Sequence, residues 1–163
     1  MNKKDFHNPT QGRMDLEEVA AEIKAFLEEA PDRKYELLVG TDSNGDGNAH
    51  FVAAIIIYRV GKGARYFWRR TPGEKPYSSL QERIHQEVTI SLEVAQDILG
   101  ELKDVLNSER KINYDFQIHI DVGENGPTQK IIKEVVGMVK GNGFKATIKP
   151  ESFAASNVAD KYC

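Results

Sequence analysis

The chain alternates short apolar runs, rich in β-branched residues, with longer amphipathic segments, a pattern typical of an α/β protein. Two apolar runs, Leu37–Thr41 and Phe51–Tyr58, stand on either side of a polar, glycine-rich stretch. Two such runs around a turn predict a β-hairpin. A further strand is predicted over Gly63–Thr71, after the turn at Val60-Gly-Lys-Gly. The three strands follow one another directly, so we expect them to pair antiparallel.

The remaining segments alternate between helical and strand periodicity. Apolar residues at helical spacing predict a helix over Asp15–Glu29. Ser78 or Ser79 is expected to begin a long helix that ends near Leu106, with Glu82 placed as a capping-box partner. The other predicted elements are a strand over Tyr114–Asp121, a helix from Pro127 and Thr128 to about Lys140, a strand over Phe144–Lys149 and a short helix over about Ser156–Tyr162.

This order predicts a single α/β domain, residues 1–163, with a mixed five-stranded sheet. Three consecutive strands would form its antiparallel part, and strands connected by helices its parallel part. We expect helices on both faces of the sheet. Residues 1–13 carry no clear periodicity and are expected to form an irregular N-terminal arm. A length of 163 residues is sufficient for one domain with a full core.

Composition narrows the classes of protein that fit. Hydrophobic residues make up 40% of the chain and charged residues 29%, which is ordinary for a soluble protein. No apolar run approaches the roughly 18–20 residues that cross a membrane, and no signal core is visible, so we expect a cytoplasmic protein. Its single cysteine, Cys163, excludes a multi-cysteine zinc site. A net charge of −3 excludes nucleic-acid binding through bulk positive charge, so such binding would need a local basic patch or metal ions.

Carboxylates at the ends of predicted elements are the candidate metal-binding and catalytic groups. Asp42 and Asp121 each end a predicted strand, and the ends of adjacent parallel strands meet where α/β sheets bind ligands. Glu87 borders the inward stripe of the long helix, and Asp160 lies on the last predicted helix. Carboxylate oxygens suit Mg²⁺ or Mn²⁺. Two such ions about 3.5–4 Å apart can promote the hydrolysis of a phosphodiester by water.

Element order and acid positions together resemble the ribonuclease H-like fold. Three segments, Val39–Ser43, Ala54–Tyr66 and Glu87–Ala95, are more narrowly similar to the YkuK-type ribonuclease H-like family. The resemblance covers roughly residues 7–160. It implies that the four acidic positions of a ribonuclease H site correspond to Asp42, Glu87, Asp121 and Asp160. It also implies a metal-dependent nuclease acting on RNA, an RNA–DNA hybrid or structured DNA. The identity of the acidic ligand on the long helix stays open, because Glu82 and Glu93 compete with Glu87 for that position.

A basic stretch over Arg59–Lys75 also contains aromatic residues. Basic side chains contact phosphates and aromatic rings stack on unpaired bases, so this stretch is a candidate nucleic-acid surface. Its predicted contacts are Arg65, Trp68, Arg69 and Arg70. The alternative is that the aromatic rings belong to the core and the arginines to a solvated strand face.

Each candidate also has an ordinary structural interpretation. Ser43 and His119 stand near the two aspartates and could hydrogen-bond to metal ligands, although a structural histidine is common. Asp42 and Asp121 could instead cap loops, and acids on helices are often solvated.

Two other ligand classes are weaker matches. Asp42–Asn48 matches the first half of an EF-hand loop, but position twelve is Ala53 instead of glutamate. Asp121–Thr128 has the strand–loop–helix form that can hold a phosphate, without a P-loop motif. A non-catalytic nucleic-acid- or protein-binding module, or a structural subunit, remains the alternative to a nuclease. The substrate and the oligomeric state stay open.

Overall fold

A computed structural model describes residues 3–44, 50–73, 76–77, 79–109, 111–149, 151–152, 158 and 162. These residues form a mixed sheet with the strand order β2-β1-β5-β4-β3-β6-β7, packed against helices. The strands are β1 (Phe6–Asn8), β2 (Gly12–Met14), β3 (Lys34–Ser43), β4 (His50–Arg59), β5 (Ala64–Pro72), β6 (Asn113–His119) and β7 (Lys145–Thr147). The helices are α1 (Leu16–Glu29), α2 (Leu80–Leu106) and α3 (Ile132–Gly141).

Strand β3 joins the antiparallel and parallel halves of the sheet. It pairs antiparallel with β4 and parallel with β6, while β4 pairs antiparallel with β5 and β6 parallel with β7. Consecutive residues of β3, among them Leu37, Leu38 and Val39, are buried because both faces of this strand are covered. The predicted mixed α/β sheet is therefore confirmed.

The prediction of five strands, with an irregular arm over residues 1–13, is wrong. The described part of the chain forms seven strands, and β1 and β2 make a hairpin that extends the sheet beyond β5. Phe6 and Met14 are buried. In the turn, the Asn8 side chain accepts the backbone N–H of Thr10 at 2.9 Å. Strands of three residues are too short for sequence alternation to reveal them.

Helix α2 is capped by Ser79, one of the two predicted start positions. The Ser79 hydroxyl oxygen accepts the backbone N–H of Glu82 at 3.1 Å. All three helices bury side chains in one core cluster together with the β3 residues Leu37 and Val39. The expectation of helices on both faces depends on residues 156–162, of which only Val158 and Tyr162 are described.

Three predicted boundaries after α2 also shift. The strand predicted over Phe144–Lys149 is shorter, since β7 covers only Lys145–Thr147. Strand β6 ends at His119, so Asp121 lies two residues beyond it, in a segment that still follows the sheet edge because the Ile120 N–H donates to Thr147 at 2.9 Å. The predicted helix start at Pro127 is replaced by a 3₁₀ turn, Gln129–Ile131, that leads into α3. Among the described residues, no helix is long and apolar enough to cross a membrane.

Candidate functional site

Parallel pairing of β3 with β6 brings Asp42 and Asp121 to one edge of the sheet. The last register pair of these strands is Gly40 with His119. Asp42 is two residues after Gly40, and Asp121 is two residues after His119. Both side chains therefore lie at the carboxyl ends of adjacent parallel strands, the edge where open α/β sheets bind ligands.

Glu87 reaches the same edge from α2. The Thr41 and Ser91 hydroxyls hydrogen-bond to each other at 2.8 Å, which fixes the helix against β3. Ser43 is two residues beyond Thr41 on the same strand face, and Glu87 is one helical turn before Ser91. Consequently the Ser43 hydroxyl can donate to Glu87 Oε1 at 3.2 Å. The whole Glu87 residue is only 7% exposed.

The three carboxyl groups form one electrostatic cluster. Burial is the largest cause that raises the pKa of Glu87 well above its ordinary value, and the negative charges of Asp42 and Asp121 raise it further. The Ser43 hydrogen bond and the Arg83 guanidinium oppose that rise. A buried acid next to two other acids is costly to ionise unless a cation neutralises it.

The chemical type of the donors suits a hard divalent cation, because all of them are carboxylate oxygens. Asp42 Oδ1 accepts the Ser43 backbone N–H at 2.9 Å, and Asp121 Oδ1 lies 2.8 Å from the Lys149 ammonium. Within the described ranges, no three acidic, histidine or cysteine side chains are grouped closely enough to enclose a metal ion. Asp160, the fourth predicted ligand, lies outside the described residues.

Among the three competing helix acids, Glu87 is the one that the structure places beside the aspartates. Glu93 is exposed on the same helix. Glu82 lies in the first turn of α2, where its backbone N–H is bound by Ser79. The roles of these acids in metal binding stay predictions, but their positions favour Glu87.

His119 is held in a polar network beside the site. Its Nε2 lies 3.3 Å from Gln117 Oε1, which also accepts the Thr147 hydroxyl at 2.7 Å. Burial lowers the pKa of His119, with the Ser152 backbone opposing that shift. This shift favours the neutral form of the ring. The ring lines a pocket of about 680 Å³ together with Leu38, on the sheet face opposite to α1, α2 and α3. The predicted link between His119 and the aspartates stays a prediction.

The predicted nucleic-acid contacts on β5 are divided between the two faces of the strand. Arg65 and Arg69 are on the face of the three helices, where the Arg65 guanidinium lies 4.7 Å from the Phe26 ring centroid. The Arg69 guanidinium lies 5.0 Å from the Phe6 ring centroid and 3.9 Å from Asp5. These two arginines contact other parts of the chain, and their role in binding stays a prediction.

Trp68 and Arg70 occupy the other face of β5, together with Tyr162. The Trp68 ring is stacked between His7 and Tyr162, with centroid distances of 4.3 Å on both sides. The Tyr162 hydroxyl hydrogen-bonds to the Tyr66 hydroxyl at 2.8 Å, and the Tyr162 carbonyl accepts from the Arg70 guanidinium. These contacts attach Tyr162 to the sheet, and Tyr162 is two residues after Asp160 in the sequence.

Removing this anchor should alter the environment of Trp68, which is the only tryptophan in the chain. We expect Tyr162→Ala to shift the tryptophan emission to longer wavelength and to increase quenching by iodide, because one face of the indole loses its stacked ring. Steady-state fluorescence measures both effects. Tyr114→Ala, at an exposed position, is the matched control. An unchanged spectrum in Tyr162→Ala would disprove the stacking contact.

Comparisons with known proteins agree with this architecture. A ribonuclease H-like family model matches residues 18–163. The chain is also similar to the uncharacterized protein YkuK of Bacillus subtilis (strain 168), with 32% identity over 164 residues. That alignment covers 96% of this chain and 95% of the relative. The range that the family model matches includes all the acidic positions of the sheet edge.

Proposed function

Because this chain belongs to the ribonuclease H-like family, we propose that it is a divalent-metal-dependent nuclease. Its substrate class would be RNA, an RNA–DNA hybrid or structured DNA, cleaved by phosphodiester hydrolysis. The observation that carries the proposal is the position of the Glu87 carboxyl at the carboxyl edge of parallel strands, where burial raises its pKa and the charges of Asp42 and Asp121 raise it further. The three carboxylates come from separate elements of the fold, and a shared cation would neutralise the repulsion between their negative charges.

Asp42, Glu87 and Asp121 would hold Mg²⁺ or Mn²⁺ in this proposal, with Asp160 as a fourth ligand. Bound ions of this kind activate a water molecule and stabilise the leaving oxygen of a phosphodiester. Without a cation, a buried acid avoids the cost of its charge by retaining a proton. Glu87 therefore depends on the cation more strongly than the two partly exposed aspartates do.

The residues around the acids would keep the carboxylates oriented. Ser43 donates its hydroxyl to Glu87 and its backbone N–H to Asp42, so one residue links two proposed ligands. The buried Thr41–Ser91 hydrogen bond fixes the distance between β3 and α2. Such supporting contacts commonly change metal affinity about 10- to 100-fold when they are removed.

Arg70 is the basic residue whose position best fits contact with a bound strand. Asp42 is in register with Val52 on β4, and Val52 is in register with Arg70 on β5. Residues in register lie on one face of a sheet, and two strand spacings amount to about 10 Å. Arg70 thus lies on the face and cross-strand row of Asp42. We extend the proposal to a phosphate contact by Arg70, which would exchange its hydrogen bond to the Tyr162 carbonyl for the phosphate. Trp68 would support this surface without stacking on a base, since His7 and Tyr162 already cover its ring.

A direct test incubates the purified protein with labelled RNA, RNA–DNA hybrid and branched DNA. We expect cleavage of at least one substrate with Mn²⁺ or Mg²⁺ and none with EDTA. The Asp42→Asn variant, purified in parallel, should lose about a hundredfold or more of the cleavage rate, which excludes a contaminating nuclease. Failure of the wild-type protein to cleave all three substrates with either ion would overturn the proposal.

A further inference from the structure

A lysine from the β7 end of the sheet contacts one of the proposed metal ligands. The Lys149 ammonium lies 2.8 Å from Asp121 Oδ1. The backbone N–H of Lys149 donates to the carbonyl of Val122 at 2.9 Å, so the residue is fixed beside Asp121 by the main chain as well. Its side chain is 56% exposed, which leaves the ammonium free to move into solvent.

Gly123 leaves room for this side chain. A Cβ atom at position 123 would stand 3.2 Å from Lys149 Cβ and 3.6 Å from Lys149 Cδ. The aliphatic part of Lys149 therefore crosses a position where any larger residue would crowd it. The backbone hydrogen bond, the missing side chain at Gly123 and the ion pair together direct the ammonium to Asp121.

Lys145, on β7 itself and four residues before Lys149, provides a comparison. Its ammonium lies 3.4 Å from Asp115 Oδ2, and its side chain is similarly exposed. Asp115 also accepts a hydrogen bond from Gln117 at 2.6 Å and is six residues before Asp121. The Lys145–Asp115 pair is thus the same kind of contact, located away from the three clustered acids.

We propose that Lys149 is the counter-cation of Asp121 and competes with a divalent ion for that carboxylate, an inference that rests on the proposed nuclease function. A divalent ion bound at Asp121 would repel the ammonium at 2.8 Å, so the ion pair must open before the ion binds. The free energy of the lost ion pair is subtracted from that of metal binding. Lys149 therefore sets a lower metal affinity than the acids alone would give.

Isothermal titration calorimetry with Mn²⁺ alone tests this competition. We expect Lys149→Met to bind Mn²⁺ about fivefold more tightly than the wild type, since exposed ion pairs contribute up to about 1 kcal/mol. Lys149→Arg keeps the charge and should bind like the wild type. Lys145→Met is the matched control and should change the affinity less than about twofold. The difference should shrink in high salt, which screens the ion pair.

The outcomes separate this inference from the proposed function. Mn²⁺ binding that is lost in Asp121→Asn but equal or weaker in Lys149→Met would overturn the competition and leave the metal site standing. Absence of Mn²⁺ binding in both the wild type and Lys149→Met would overturn the metal site and the competition together. Thermal unfolding gives a second readout, because the competition predicts a larger Mn²⁺-induced rise in Tm for Lys149→Met than for the wild type.

Discussion

Replacing Asp121 with asparagine should lower the rate of metal-dependent cleavage by about a hundredfold or more, the loss typical when one electrostatic contact to a transition state is removed. Asparagine keeps the size of the side chain and removes the negative charge. Asp42→Asn should cause a loss of similar size, since both residues lie at the carboxyl edge of β3 and β6. The measurement is the single-turnover cleavage rate at saturating Mn²⁺ on the substrate that the wild type cleaves best.

Asp115→Asn is the matched control for Asp121→Asn. Both aspartates belong to the β6 region, and both form an ion pair with a lysine of the neighbouring β7 region. Asp115 stands away from Glu87, so its replacement should leave the rate within about threefold of the wild type. Equal losses in the two variants would mean that the effect is structural. An Asp121→Asn variant with most of its activity retained would contradict a catalytic role for this edge.

The second large effect concerns stability without metal. We expect Glu87→Gln to stabilise the metal-free protein at pH 8 by about 1 kcal/mol or more, equivalent to a rise in Tm of roughly 2–4 °C. Glutamine has the shape of the protonated acid and can still accept from Ser43, but it carries no charge. Burial and the two aspartates make the charged form of Glu87 unfavourable in the folded protein. Urea unfolding in EDTA measures the difference.

The pH dependence of the stability gained by Glu87→Gln follows from the direction in which the folded state shifts the pKa of Glu87. The pKa of Glu87 is raised in the folded state above its ordinary value of 4.5. The stability that the protonated acid supplies is complete below the unfolded pKa and is lost as the pH rises through the folded pKa. Glu87→Gln should therefore match the wild type near pH 4 and exceed it increasingly toward pH 8.

Exposed Glu93, on the same helix, supplies the control variant Glu93→Gln, which should show no such pH-dependent gain. A double-mutant cycle tests the cluster itself. Because Asp42 contributes to the raised pKa of Glu87, the gain from Glu87→Gln should be smaller in an Asp42→Asn background. Mn²⁺ should reverse the order by stabilising the wild type more than Glu87→Gln. Destabilisation by Glu87→Gln at pH 8 without metal would contradict the buried-charge argument.

Long elements of the fold can be predicted from local pattern. The apolar runs at Leu37–Thr41 and Phe51–Tyr58 lie within β3 and β4. These ten-residue strands are buried on both faces, so they appear in the sequence as long continuous apolar runs between turn residues. The hairpin of β1 and β2 escapes such prediction, because each strand has three residues. Its stability comes from burying Phe6 and Met14 against the rest of the molecule, which no local pattern contains.

The site is predictable where it depends on strand order and not where it depends on tertiary packing. Parallel pairing of β3 with β6 is enough to place Asp42, on β3, and Asp121, two residues after β6, at one edge. Choosing Glu87 over Glu82 and Glu93 needs the packing of α2 on β3, since all three acids fit the helical pattern. Lys149 carries no motif, and its contact with Asp121 depends on the close approach that the missing side chain of Gly123 permits.

The arginines of β5 show how strand alternation divides a basic stretch into two surfaces. Arg65 and Arg69 differ by four residues and share one face, whereas Trp68 and Arg70 share the other. Grouping these four residues by composition alone combines two opposite surfaces. The period of two along a strand is enough to separate them, and it selects Arg70 as the residue on the face of Asp42.

The most direct measurement is anomalous diffraction from crystals of the protein soaked in Mn²⁺. A strong Mn²⁺ peak bound by carboxylate oxygens of Asp42 and Asp121, with Glu87 as a further ligand, is the result expected from a metal-dependent nuclease. A Mn²⁺ peak at other residues, or no peak while Glu87 stays beside the two aspartates without an ion, would contradict the proposal that this carboxylate edge is a metal site.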